Sequence, residues 1–223
     1  NNGSNVSLSA ATIESSPGIL FLTNGKFILG TNSFTADNIT GGSALSYVCT
    51  NNSGTLNRIV GGANVFFPVG NSTYNPVQLT NSGTIDQYQI KVIDNVTDDG
   101  SGVGQTTFLA VVKRTWMISE STIGGSNTTI RLHWNGIGEE INSFTASNAF
   151  MAHFVASANL WDNIGGVVVG TGYVETSGNQ DFSPFTISST GVFAPLPTEL
   201  VSFQANCTEQ NASRITWSTA SEN

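Results

Sequence analysis

Charge is scarce in this 223-residue chain: only 10% of its residues are ionic, with 7 Lys and Arg against 15 Asp and Glu, for a net charge of −8. Soluble proteins usually carry roughly a quarter. That balance argues against nucleic acid or anionic lipid as partners. No apolar run approaches the ~20 residues of a helical membrane span, and no heptad is present, so neither membrane insertion nor a coiled coil is expected. Cysteine is nearly absent too. Cys49 and Cys207 are the only two and lack metal-ligand spacing. In an oxidising compartment a disulfide between them would close a long loop, worth roughly 4–5 kcal/mol in chain-entropy models; the alternative is two unrelated buried thiols. The chain starts Asn1-Asn2-Gly3, without methionine or signal peptide, and reads as a processed product or a fragment.

Neutral polar residues stand where ions are missing. The chain has 24 Asn, 26 Ser, 26 Thr and 24 Gly, so amides and hydroxyls must wet its surface. A hydrophobic content of 39%, with 13 Phe, still suffices for a core and argues against disorder.

Period-two patterning dominates. Ile130, Leu132 and Trp134 alternate with Arg131 and His133, and Tyr88, Ile90 and Val92 alternate with Gln87, Gln89 and Lys91. The stretch from Thr106 to Ile118 predicts one long strand with Phe108, Ala110, Val112, Trp116 and Ile118 on one face. Further strands are predicted over 149–155, 165–173 and 182–187. Turn signals separate these runs at Asn81-Ser82-Gly83, Asp98-Asp99-Gly100, Gly124-Gly125-Ser126-Asn127 and Thr176-Ser177-Gly178-Asn179. The pattern predicts an all-β fold, an antiparallel β-sandwich over 63–193.

Residues 1–62 differ. Ile19-Leu20-Phe21-Leu22, Lys26-Phe27-Ile28-Leu29 and Ser46-Tyr47-Val48-Cys49 are short and closely punctuated, as in a small β-layer or a rung-like stack, with Gly61-Gly62 as the boundary. A second boundary falls at Ala194-Pro195-Leu196-Pro197, where two prolines enforce extended backbone and stop sheet pairing. Residues 194–223 then carry two further strands with Leu200, Val201, Phe203, Ile215 and Trp217. A lone hairpin cannot bury these, so the segment requires another surface.

Pro195-Leu196-Pro197-Thr198-Glu199-Leu200-Val201-Ser202-Phe203 and Trp217-Ser218-Thr219-Ala220-Ser221-Glu222-Asn223 resemble a segment that opens a fibronectin-like module in large type IX-secreted proteins of the Bacteroidota. Stretches 41–48, 67–77 and 112–120 are similar to the same kind of protein. The resemblance implies export and residence at, or release from, the cell surface, in an adhesin-like or structural role with no catalytic residues to carry over. In this sequence the module stops at Asn223, after its first two strands.

Catalytic constellations are not legible. His133 and His153 have no third ligand at metal spacing, and Glu139-Glu140 read as ordinary solvated charge. Neither a nucleophile elbow nor a phosphate loop occurs, so the chain is read as no enzyme and without cofactor, calcium apart. Asp94, Asp98 and Asp99 form the one acidic cluster and could offer Ca²⁺ its oxygens, although the spacing is not that of the twelve-residue calcium loop. Trp161 is the candidate glycan contact; Trp116, Trp134 and Trp217 read as core. The expected function is an extracellular structural subunit of a surface fibre or layer, a homo-oligomer built by adding the C-terminal strands to a neighbour's sheet. The alternatives are a monomeric adhesin or carbohydrate-binding module facing surface glycans, or a non-catalytic part of a larger secreted enzyme.

Overall fold

Short strands that recur every 19–22 residues build the first part of the chain. The computed structural model describes residues 4–10, 13–14, 18–169, 172–182, 184–190, 200–207 and 213–219. Val6–Ser7, Phe27–Ile28, Val48–Cys49 and Val69–Gly70 form a four-stranded parallel sheet in which Val6, Phe27, Val48 and Val69 stand in register, each 21 residues after the last. Ile13–Glu14, Phe34–Thr35 and Leu56–Val60 make a second parallel ladder, and Ile19–Leu22 with Asn38–Gly41 a third. The three ladders are the sides of a β-coil stack, a solenoid in which each turn rests on its neighbours. Of the two architectures open for this region, the rung-like stack is the one formed.

The amide- and hydroxyl-rich composition holds this stack together. Asn32 Nδ2 donates to the Leu8 carbonyl one coil back at 3.0 Å, Asn51 Oδ1 accepts from Gly30 N, and the Ser33 and Thr55 hydroxyls meet at 2.9 Å. Leu22, Leu29, Phe34, Val48 and Leu56 fill the interior. One corner demands glycine: Gly41 has φ +89°, and a Cβ there would collide with the Leu22 carbonyl.

The antiparallel part grows directly on the stack. Leu56–Val60 pairs in parallel with Phe34–Thr35 on one edge and antiparallel with Asp86–Ile93 on the other. The same eight-stranded sheet continues through Thr115–Glu120, Pro184–Ser188, Phe150–Val155 and Leu160–Asn163. A five-stranded antiparallel sheet faces it, ordered Val167–Val168, Tyr173–Asn179, Thr128–His133, Val77–Asn81 and Val65–Phe67. Tyr88, Ile90, Val92 and Trp116 from the first sheet meet Val77, Leu79, Ile130 and Leu132 from the second in a single core that also contains Leu29 and Leu56 of the coils. The chain is therefore all-β, with an antiparallel sandwich. Gly61-Gly62 interrupts neither sheet nor core, and the parallel stack runs on to Gly70.

Three local expectations fail. The long strand from Thr106 shrinks to Thr115–Glu120; residues 106–114 form a loop with two isolated bridges, and Phe108 is 83% exposed. The run 165–173 is broken after Val167–Val168, and Thr176-Ser177-Gly178-Asn179 continues the strand Tyr173–Asn179 in place of a turn. There Gly178 takes φ +81° inside the strand, next to the bulge where Thr128–His133 shifts register.

Candidate functional site

Three loops bring a charged network into the interior. Thr73 and Asn75 follow the last coil strand, Arg114 precedes Thr115–Glu120, and Asn135 and Glu139 follow Thr128–His133. Asn75, Arg114 and Glu139 are all buried. Arg114 Nη2 lies 3.1 Å from Glu139 Oε1, while its Nε donates to Asn75 Oδ1 at 3.1 Å and faces Asp94 Oδ1 at 3.4 Å. Glu139 also accepts from Asn75 Nδ2 at 2.8 Å, Asn135 N at 2.8 Å, Asn135 Nδ2 at 2.9 Å, and the Thr73 hydroxyl. Burial alone would raise the Glu139 pKa, but the bonds from Thr73 and Asn135 and the charge of Arg114 outweigh it and hold the carboxyl below its ordinary range. A buried ion pair stabilises little in itself. Its structural effect is to fix the turn Trp134–Glu140 from beneath.

Above that turn lies a cavity of about 590 Å³, walled by His133, Trp134, Asn135, Glu140, Ser147 and Val168. The Trp134 ring is buried and its Nε1 donates to Glu140 Oε1 at 2.8 Å. Among the described residues, the second Glu140 oxygen accepts no hydrogen bond, and Glu140 has no cationic partner. The His133 ring packs on Tyr173 with centroids 4.4 Å apart, and its Nδ1 is buried without a partner among the described residues. Burial pushes the His133 pKa below the ordinary histidine value, against the opposing pull of Glu139. A second cleft contains His153, Asp162 and Asp181 between the sheets; the His153 pKa is likewise lowered by burial, opposed by those two carboxylates.

The sequence pointed elsewhere. Trp161 is 3% exposed, with Nε1 donating to the Thr97 carbonyl at 2.9 Å and its ring edge-on to Phe154; it is core, not a glycan platform. Asp94, Asp98 and Asp99 do not converge, and no metal-sized cluster of His, Cys, Asp or Glu exists among the described residues. Asp94 turns to Arg114 and the Ser72 amide, whereas Asp99 accepts from Thr97 and Ser101 within its own turn. Glu139 is the reverse of solvated charge. No periodicity announces it, because its partners come from positions 73, 75, 114 and 135.

Cys49 is buried and free, its Sγ 3.4 Å from the Asn71 carbonyl, and burial pushes its pKa up; the Cys207 side chain lies outside the described residues. Leu200–Cys207 and Ser213–Thr219 form a hairpin that pairs with no other described strand. Its register sets Phe203 opposite Trp217 and Ala205 opposite Ile215, placing these positions on one face. Phe203 is 60% and Ile215 52% exposed; the side chains of Leu200, Val201 and Trp217 lie outside the described residues.

Comparison with protein-family models, curated proteins and solved structures gave no match to this chain. A functional reading therefore rests on the geometry above.

Proposed function

We propose that this chain is a non-enzymatic structural subunit of an extracellular bacterial surface fibre or layer, assembling when its C-terminal hairpin adds to the sheet of a neighbouring subunit. One observation carries the reading: Leu200–Cys207 and Ser213–Thr219 pair only with each other among the described strands, and Phe203 and Ile215 stay open to solvent. An isolated two-stranded hairpin is marginal in water and gains most from a third strand and an apolar surface. Leu160–Asn163, the edge of the eight-stranded sheet, offers unpaired backbone groups of that kind. Strand addition supplies main-chain hydrogen bonds and seats alternate side chains in the acceptor. Because donor and acceptor are different surfaces, the contact is head-to-tail and propagates a filament. Export to the cell surface belongs to the same reading and is supported by the resemblance of 195–203 and 217–223 to the fibronectin-like modules of type IX-secreted proteins.

Negative-stain microscopy and size analysis of the full chain test it, beside a chain truncated after Gly191. The full chain is expected to form filaments and the truncated one to stay monomeric. A full chain that remains monomeric at high concentration overturns the proposal.

A further inference from the structure

Asp162 is an odd residue for the last strand of a sheet. It stands opposite His153 in the pairing of Leu160–Asn163 with Phe150–Val155, and the His153 ring packs on Phe185, so Asp162 lies on the face turned toward the second sheet. It is half-buried there, Asp181 lines the same cleft, and among the described residues no Lys or Arg does. An inward-pointing charge on an open edge deters apolar strands from pairing with it. By the same physics it favours a strand that brings the opposite charge. The other edges of the antiparallel sheets are less open. Val65–Phe67 has its Phe66 carbonyl taken by Arg58 Nη1 at 2.6 Å, and Val167–Val168 is two residues long.

The hairpin carries the charge that this edge lacks. Arg214 is the single ionic residue of Leu200–Cys207 and Ser213–Thr219, in a chain with only 7 Lys and Arg. It is exposed and makes no ion pair among the described residues. Its register position is opposite Asn206, on the face away from Phe203, Ala205 and Ile215. A strand laid beside Leu160–Asn163 with Arg214 level with Asp162 therefore turns Phe203 and Ile215 to the outer side of the sheet. On that side the loop bonded to Trp161 through the Thr97 carbonyl carries Val103, 77% exposed, and Phe108, 83% exposed. One placement suits both faces of the hairpin.

We propose that Arg214 of one copy pairs with Asp162 of the next, and that this ion pair selects the acceptor edge and sets the register of the added hairpin. The inference rests on the filament reading and names the residues of its contact. The test is microscopy and sizing of the full-length chain beside Asp162→Arg, Arg214→Asp and the double variant. Each single reversal sets like charges face to face and should raise the concentration needed for filaments about tenfold or more. The double variant should restore assembly. So should an equimolar mixture of the two single variants, because each acceptor there finds a donor of opposite sign. Thermal melting checks that each variant is folded; if Asp162→Arg is not, Asp162→Asn, Arg214→Gln and their double variant take its place, with equal losses expected in all three and additive losses overturning the pairing. Filaments unchanged in both single reversals, or defects that neither the double variant nor the mixture repairs, overturn the pairing and leave the filament standing. A wild-type chain that stays monomeric overturns both.

Discussion

Glu139 shows how far one side chain can depart from what its neighbours in sequence suggest. Beside Glu140 it looks like solvated charge, yet it is 3% exposed and bonded to Arg114, Asn75, Asn135 and Thr73. Glu139→Gln removes the closer and more deeply buried of the two carboxylates that face Arg114, leaving only Asp94 at 3.4 Å, and urea denaturation should show a loss of about 3 kcal/mol. The native carboxyl titrates below its ordinary range, so its contribution is complete above the unfolded-state carboxylate pKa and is lost as pH falls through the lower folded value. His133 and His153, both lowered by burial, act in the same direction at higher pH: their contribution is full above the ordinary histidine pKa and declines as acid forces protons onto the buried rings. Chemical denaturation as a function of pH should therefore show stability falling in two stages on acidification, with His153→Gln removing part of the earlier one. Trp161→Ala should cost about 3–5 kcal/mol by emptying the cluster of Val96, Val111, Ala152 and Phe154. The alternating sequence around Trp116 and Trp134 correctly marks both as core. Trp161 is different, because its burial comes from the loop of Val96 and Thr97 folding over it, and that contact has no local sequence signal.

At the level of elements, alternation made the longer strands legible: Asp86–Ile93 and Thr128–His133 stand where Tyr88-Ile90-Val92 and Ile130-Leu132 alternate with polar residues. The coil stack was legible only as a change of texture. Its strands are often two residues long, and its period lies in a ladder whose members vary, Leu8, Leu29 and Thr50 at one level and Ile13, Phe34 and Leu56 at another. Laying Val6-Ser7-Leu8, Phe27-Ile28-Leu29 and Val48-Cys49-Thr50 above one another is the signal that would have exposed the repeat. Since each coil rests on its neighbours, removing residues 27–47, one full period, should join Lys26 to Val48 in register and leave a folded, shorter protein. Removing ten residues from the same region should shift every rung and collapse the stack. Circular dichroism and melting curves of the two deletions separate these outcomes. The 106–114 segment fails as a strand for a different reason: its apolar residues answer to several surfaces, with Val112 in the main core, Val111 in the smaller cluster and Phe108 in solvent.

The whole molecule is governed by a strand with two allegiances. Leu56–Val60 ends the second parallel ladder of the coil stack and opens the antiparallel sheet, and one hydrophobic core runs beneath both. Coils and sandwich should consequently melt together, giving a single calorimetric transition for the region up to Ser188 whose calorimetric and van't Hoff enthalpies agree. Two resolved transitions would mean the shared strand couples them only weakly. The same junction also fixes where the protein can lengthen over evolutionary time. Asp86–Ile93 presents an antiparallel neighbour where another coil would have to dock, so the sandwich acts as a stopper at that end. Tandem duplication of a coil can be absorbed on the far side, near Phe27, but not past Gly70, and length variation among descendants of this gene should accumulate on one side only.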